Sequence, residues 1–203
     1  YPITARGRVM LKNLFNERKA AQAAAYFLFR ASGPLSVLKL TKLLYLAERR
    51  SFERFGQPMI GDRLVSMPHG PVLSRTYNLM NGELPSVEGG WESWIADRAE
   101  HVLSLRRPDA LRSPQLDLLE LSDADVEILG EIWGRFGQMS GWQLREYTHD
   151  HCPEWTDPEG SMIPMRPEEL FDALKFTPEQ TRAALERMRE EDAIEVAFAN
   201  ARS

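Results

Sequence analysis

The sequence predicts a mainly α fold, a compact helical domain with a minor β hairpin or small sheet in the middle. Three observations predict it: helix-forming stretches carry apolar side chains at helical spacing, capping residues precede several of them, and a middle rich in proline and glycine breaks the helical period. The chain of 203 residues contains no repeat and no low-complexity segment. We therefore expect a single domain over 1–203, with a less regular insert at 83–121 and a C-terminal helix at 177–203.

Two helices are expected in the first part of the chain. The first runs from about residue 9 to residue 30, where helix-forming residues dominate. Ser36 caps the second helix and Gly56 ends it, and an apolar stripe that includes Leu40 and Leu44 follows one face. Because the stripe is wide enough for packing on more than one side, this second helix is expected to be the central one.

The middle of the chain carries the β signals. Residues 63–67 (RLVSM) offer a short strand, and residues 101–107 (HVLSLRR) alternate as a strand would. Residues 91–100 are a weak helix candidate, and a further helix is expected from about residue 72 to residue 80. Together these elements predict a hairpin or small sheet inside an otherwise helical protein.

Helix-start signals are dense in the second half. Ser140 with Gln143 and Thr177 with Gln180 have the capping-box pattern, and Pro153 ends the helix that Ser140 opens. Other helix starts are expected at Ser122 and at Pro167, the latter opening a short helix through Leu174. The side chains predicted to be buried in the core are Leu40, Leu44, Trp133, Phe136 and Leu144.

Composition limits the classes of function. The net charge of −5 gives the chain no overall basic character, so nucleic acid is a disfavoured partner. Basic residues that include Arg75, Arg106 and Arg107 are compatible with a phosphate-binding patch, but interleaved acidic residues favour a solvated surface. Cys152 is the only cysteine, and no apolar run predicts export or a membrane span. A cytoplasmic protein with no membrane partner and no cofactor is expected.

The stretch MPHGPV at 67–72 is a candidate catalytic loop. Pro68 and Pro71 fix the backbone and Gly70 permits a conformation that other residues avoid, so His69 is held in one place. A rigid histidine can act as a general base, but the sequence offers no recognisable nucleophile and no paired carboxylates. We favour a structural turn that joins the central helix to the next one, and we predict no catalytic residue.

The stretch THDHCPEW at 148–155 holds three possible metal donors, His149, His151 and Cys152. Structural zinc sites need a second ligand pair elsewhere, and the sequence has none. In the alternative that we favour, His149 finishes the helix and meets its free carbonyls while Pro153 and Trp155 cover the end. No metal is therefore predicted.

Four tryptophans are candidates for either the core or a partner surface. They are Trp91, Trp94, Trp142 and Trp155. Trp91 and Trp94 are expected to be the more exposed pair, because their local setting is glycine-rich and polar.

Two segments together resemble the Panacea domain of SocA-like antitoxins, also found under phage-associated names. They are KLTKLLYLAERRSFERFGQPMIGDRLVSMPHGPV and, well downstream, EILGEIWGRFGQMSGWQLREYTHDHCPEW, and the resemblance covers most of residues 10–155. It departs from the family pattern at His69, where members often carry tyrosine, and at Thr41, where glutamine is common. The residues assigned to its structural motifs are Leu40, Leu44, Pro68, His69, Gly70, Pro71, Trp142 and His149.

The resemblance implies a bacterial antitoxin that binds and neutralises a toxin protein encoded beside it. One branch of the family implies a different role, an adaptor that delivers its toxin to the protease ClpXP. A metal-dependent enzyme at 149–152 stays as a third, weaker hypothesis. Specificity for one toxin is expected outside the fold-defining motifs. The predicted contact surface is therefore the stretch 83–107 and its neighbourhood, with Arg75, Tyr77, Trp91, Trp94 and Arg98.

Overall fold

The computed structural model describes residues 14–201, and within them the mainly α class is confirmed. The helices are α1 (Glu17–Ala31), α2 (Val37–Phe55), α3 (Ser74–Met80), α4 (Trp91–Trp94), α5 (Pro114–Asp117), α6 (Asp123–Phe136), α7 (Gly141–His151), α8 (Pro167–Ala173) and α9 (Pro178–Ala201). The strands are β1 (Leu35–Ser36), β2 (Leu64–Met67), β3 (Gly70–Leu73), β4 (Val102–Leu103) and β5 (Ile163–Pro164).

The first helix begins later than the sequence predicted. Asn16 caps α1, because its side chain accepts a hydrogen bond from the Lys19 backbone N–H at 2.9 Å, and residues 14–16 are not helical. The predicted start near residue 9 lies outside the residues that the structure describes. The boundaries of α2 are confirmed, since the Ser36 hydroxyl caps it and Gly56 closes it with a left-handed φ of +65°.

The central position of α2 is confirmed. It packs against α1, α6, α7, α8 and β3, so its apolar stripe is covered on several sides. Leu40, Leu44, Phe136 and Leu144 are buried as predicted. Trp133 is only half-buried, which corrects the prediction for this residue; the Lys39 ammonium group lies 5.6 Å from its ring centre, at the boundary between core and solvent.

The β structure consists of two small antiparallel sheets, with strand orders β3-β2-β5 and β1-β4. In the hairpin of β2 and β3, Met67 pairs with Gly70 and the two residues 68–69 form the turn. The helix predicted from residue 72 therefore begins only at Ser74, since residues 70–73 pair with β2. MPHGPV accordingly joins two strands, which corrects the expectation of a turn between two helices.

The insert at 83–121 is less regular than the rest, but its predicted elements are shorter than expected. The helix predicted at 91–100 is the single turn Trp91–Trp94, and the strand predicted at 101–107 is reduced to Val102–Leu103. β4 is this short because its partner β1 is itself only two residues long.

The helix starts of the second half are confirmed. Ser140 and Gln143 form a reciprocal capping box, with distances of 3.2 and 2.8 Å between the donor and acceptor atoms. Thr177 and Gln180 bond in the same way ahead of α9, at 3.2 and 2.8 Å. Between residues 14 and 201, no helix combines the length and apolarity that crossing a bilayer requires.

Candidate functional site

Three segments that are far apart in sequence meet beside the central helix: one face of α2, the β2–β3 hairpin and the end of α7. Gly70 is the point of closest approach. Its φ is +92°, and a Cβ built there would lie 2.9 Å from both Lys42 Nζ and Thr148 Oγ1 and 3.3 Å from the ring of His149. Backbone conformation and space both require glycine at this position.

Lys42 ties α2 to the hairpin from inside the protein. Its side chain is fully buried, and Nζ donates a hydrogen bond to the Pro71 carbonyl at 2.8 Å. Burial lowers the pKa of Lys42 to about 7, with the Arg145 charge adding to the lowering and Cys152 opposing it. At pH 7 this lysine is therefore divided about equally between its charged and neutral forms.

A second buried network joins α2 to the segment after α7. The Glu154 carboxylate accepts hydrogen bonds from the Tyr45 hydroxyl at 2.6 Å and from Arg49 Nε at 2.7 Å. Burial, followed by the Glu154 charge, raises the pKa of Tyr45 well above its usual range. Burial also raises the pKa of the Cys152 thiol to about 12, so this cysteine stays protonated and is a poor nucleophile.

His149 packs face to face with Trp155, with ring centres 3.9 Å apart and planes 11° from parallel. The indole N–H of Trp155 in turn donates to the Met67 carbonyl at 3.0 Å, which fixes the stack to the hairpin. Burial, Arg145 and Lys42 lower the pKa of His149, which favours the neutral ring. The expectation that His149 meets free carbonyls is wrong, because its ring stacks on Trp155 and Nε2 has no hydrogen-bond partner among the residues 14–201.

The possible metal donors of this region do not converge. His151 stacks on Tyr147, with ring centres 4.3 Å apart, and its Nδ1 lies 3.1 Å from the Tyr147 carbonyl oxygen. His149 faces Trp155 instead, and Cys152 is buried. Across the described part of the chain, no three His, Cys, Asp or Glu side chains are grouped in a way that could hold a metal ion.

Above the buried networks lies an exposed surface that we call the Trp142 face, formed by His69, Trp142 and Arg145. The His69 ring meets the Trp142 ring edge to face, with centres 5.8 Å apart. The Arg145 guanidinium lies 6.0 Å from the Trp142 ring centre. Trp142 is 61% exposed, so a structural-motif residue also presents a large apolar surface to solvent.

The residues predicted to bind a partner do not form one patch. The prediction that Trp91 is exposed is wrong: it is 4% exposed, because its ring joins the core and its backbone N–H donates to the buried Glu17 carboxylate at 3.0 Å. Trp94 is half-buried and Arg98 is exposed, and they line two different depressions.

Arg75 and Tyr77, on α3, are both half-buried. The Arg75 guanidinium stacks over the Phe15 ring at 4.4 Å and lines a third depression, which adjoins that of Trp94 through the shared residues Arg18 and Glu120. Tyr77 packs against the core from its edge. Neither side chain is as free to meet a partner as the sequence predicted.

Sequence reasoning missed the buried charged residues of α2. Glu48 is fully buried and its carboxylate accepts backbone N–H bonds from Met59, Ile60 and Gly61 at 2.8, 2.7 and 2.9 Å. Burial raises the pKa of Glu48 to about 7, although these three bonds oppose the change. One signal was available, because Glu48 follows Leu44 by four residues and so lies on the buried face of the helix.

Comparison with known proteins agrees with this geometry. The family model described as antitoxin SocA-like, Panacea domain, matches residues 40–156, which include most of α2, the hairpin, α7 and Trp155. No curated protein and no solved structure matches the chain. Because the family model covers more than half of the chain, the protein belongs to the SocA-like antitoxin family with a Panacea domain.

Proposed function

We propose that this protein neutralises a toxin protein by binding it directly, without a catalytic step. Membership of the antitoxin family supports a protein partner. Lys42, Tyr45 and Glu154 of the motif segments are buried, and each bonds to another part of the same chain. A partner therefore meets the surface above them, and the observation that carries this proposal is the exposed ring of Trp142.

The Trp142 face has the properties of an interface centre. Tryptophan and arginine dominate the binding energy of protein interfaces, and Trp142 lies beside Arg145 on a regular helix. The underlying hairpin is held by the Lys42 bond to Pro71 and by the Trp155 bond to Met67. Because these contacts already order the surface, little conformational entropy is lost when a partner binds.

The stretch 83–107, with Trp94 and Arg98, remains the alternative contact surface, together with Arg75 and Tyr77. Trp91 is excluded from it by burial. The two surfaces share no residue, so substitutions on one surface leave the other unchanged and show which of them binds the toxin.

Delivery of the toxin to ClpXP is a second candidate function, and α9 favours it. Beyond Met188 and up to Ala201 this helix has no buried residue, and Ile194 and Phe198, one turn apart, are 52% and 56% exposed. The helix lies outside the matched range 40–156. An adaptor contacts toxin and unfoldase at once, and α9 offers it a second surface.

Co-expression with the candidate toxin from the neighbouring reading frame tests the proposal. Trp142→Ala is expected to weaken complex formation by about 30-fold or more and to lower growth rescue, because interface tryptophans contribute about 2 kcal/mol or more. Leu119→Ala is the matched control, since Leu119 is 81% exposed elsewhere. His69→Tyr keeps a ring beside Trp142 and is expected to retain rescue.

The alternatives give different results. Undiminished binding by Trp142→Ala, with loss of binding in the double variant Arg75→Glu and Arg98→Glu, would move the interface to the other surface. Rescue that disappears only when ClpX or ClpP is deleted would replace direct inhibition by protease delivery. Circular dichroism of each variant confirms that the fold is kept.

A further inference from the structure

A depression of about 330 Å³ lies where α1, α4 and the loop around 105–120 meet. Its polar lining consists of Arg18, Gln22, Ser93, Arg107 and Glu120, and Trp94 and Leu105 supply its apolar wall. We call it the arginine depression. It shares no residue with the Trp142 face, and the volume falls at the lower end of the range for small-molecule sites.

The two arginines have hydrogen-bond donors to spare. Arg18 Nε donates to the Glu88 carbonyl at 2.9 Å, which fixes the guanidinium, and its terminal nitrogens have no acceptor among the residues that the structure describes. The Arg107 side chain makes no hydrogen bond or ion pair with the residues between 14 and 201, whereas its backbone carbonyl accepts the Ala110 N–H at 3.1 Å. Its neighbour Arg106, by contrast, pairs with Asp97 at 3.1 Å. Two guanidinium groups in one depression are suited to an oxyanion, above all to phosphate.

Gln22 adds a third possible donor to the depression. Its side chain is only 5% exposed, and Oε1 accepts the Glu120 backbone N–H at 2.8 Å. This bond fixes the amide group, and Nε2 then has no acceptor among the described residues although the side chain lines the depression. This nitrogen is not one of the fully buried donors without a partner, so it is available to an acceptor in the depression.

We propose that the arginine depression binds a mononucleotide. Arg18, Arg107 and Gln22 Nε2 hold the phosphate. The ring surface of Trp94 and the side chain of Leu105 pack against the base. A phosphate or a sugar phosphate has no base, so it would leave this apolar wall unused. Glu120 also lines the depression, and its carboxylate is the group that would accept hydrogen bonds from ribose hydroxyls or a base amino group.

Isothermal titration and saturation-transfer NMR with AMP and GMP test the proposal. At least one of them is expected to bind saturably, with adenosine and ribose 5-phosphate both weaker, because each lacks one half of the contacts. Arg107→Glu is expected to weaken binding by about tenfold or more, since it replaces a charge-assisted hydrogen bond by repulsion. Arg189→Glu, an equal charge change at an exposed site on α9, is expected to leave the affinity unchanged.

Three results would each overturn the proposal: no saturable binding of AMP or GMP, equal affinity in Arg107→Glu and the unsubstituted protein, or ribose 5-phosphate binding as tightly as the nucleotide. Arg107 is exposed, so its substitution leaves the core intact, and circular dichroism verifies this. None of these measurements involves the toxin, so their outcome is independent of the proposed function.

Discussion

Lys42 is expected to make the stability of this protein rise with pH in the alkaline range. Its pKa falls from 10.5 to about 7 on folding. The unfolded chain therefore binds one more proton than the folded protein between these pH values. The stabilising contribution of this side chain is fully present above pH 10.5 and is lost as the pH falls through 7.

The size of the effect follows from the two pKa values of Lys42. At about 1.36 kcal/mol per pKa unit, its contribution to the free energy of unfolding rises by about 3 to 4 kcal/mol between pH 7 and pH 10. Lys42→Met replaces the amine by an apolar side chain of similar length and loses the 2.8 Å bond to Pro71. The variant is expected to lack the rise and to be more stable than the unsubstituted protein at pH 7.

Urea denaturation at pH 7, 8.5 and 10 measures the difference in unfolding free energy between the two proteins. Groups that titrate in both proteins cancel in that difference. Lys175→Met, at an exposed lysine, is the matched control and is expected to show no pH-dependent difference. If the difference for Lys42→Met changes by less than about half a kcal/mol from pH 7 to pH 10, Lys42 is charged or solvated in the folded protein and the argument fails.

Three further predictions concern the core, Glu48 and metal content. Leu44→Ala is expected to cost about 2 to 5 kcal/mol of unfolding free energy by urea denaturation, and a cost below about half a kcal/mol would contradict its central position. The pKa of Glu48 rises from 4.5 to about 7 on folding, so its stabilising contribution is present below pH 4.5 and is lost as the pH rises through 7. Glu48→Gln should remove this pH dependence of the unfolding free energy, which urea denaturation at pH 4.5 and pH 7 measures. Elemental analysis of purified protein should find no stoichiometric zinc, and a chelator should leave Tm unchanged. One bound metal per chain would contradict this prediction and would support a metal site at His149 and Cys152.

Local signals in the sequence predicted the features that depend on neighbouring residues. The capping boxes at Ser140 and Thr177 require residues only three positions apart, and both form. The extent of β3 was missed, because pairing with β2 is what makes Val72 and Leu73 a strand, and helical spacing alone cannot distinguish the two.

Long-range contacts explain why the candidate site was predicted only in part. Trp91 has a polar, glycine-rich neighbourhood, yet the buried Glu17 carboxylate, 74 residues earlier, accepts its N–H. Glu154 bonds to Tyr45 across 109 residues, which no periodicity reveals. The quoted motifs did identify the segments that meet at the site, but the way they meet depends on tertiary packing.

Gly70 links this packing to function, and Gly160 provides a matched control. The two glycines have nearly the same φ, +92° and +90°, but a Cβ at Gly160 has no atom within 4 Å. Gly160→Ala is therefore expected to cost only the backbone penalty of a left-handed conformation, about 1 to 2 kcal/mol. Gly70→Ala adds the displacement of Lys42 Nζ and Thr148 Oγ1, and overpacking of this kind costs about 1 to 3 kcal/mol more.

The added methyl group also pushes the hairpin away from α7. His69 lies in the hairpin turn and Trp142 on α7, so their edge-to-face contact opens, and the Trp142 face loses its shape while the helices persist. Gly70→Ala is therefore expected to lower toxin binding at a temperature where circular dichroism shows a folded protein, whereas Gly160→Ala keeps full binding. Equal unfolding free energies for the two variants in urea would show that the space around Gly70 is not restrictive. Full toxin binding by a folded Gly70→Ala protein would show that the hairpin does not shape the interface.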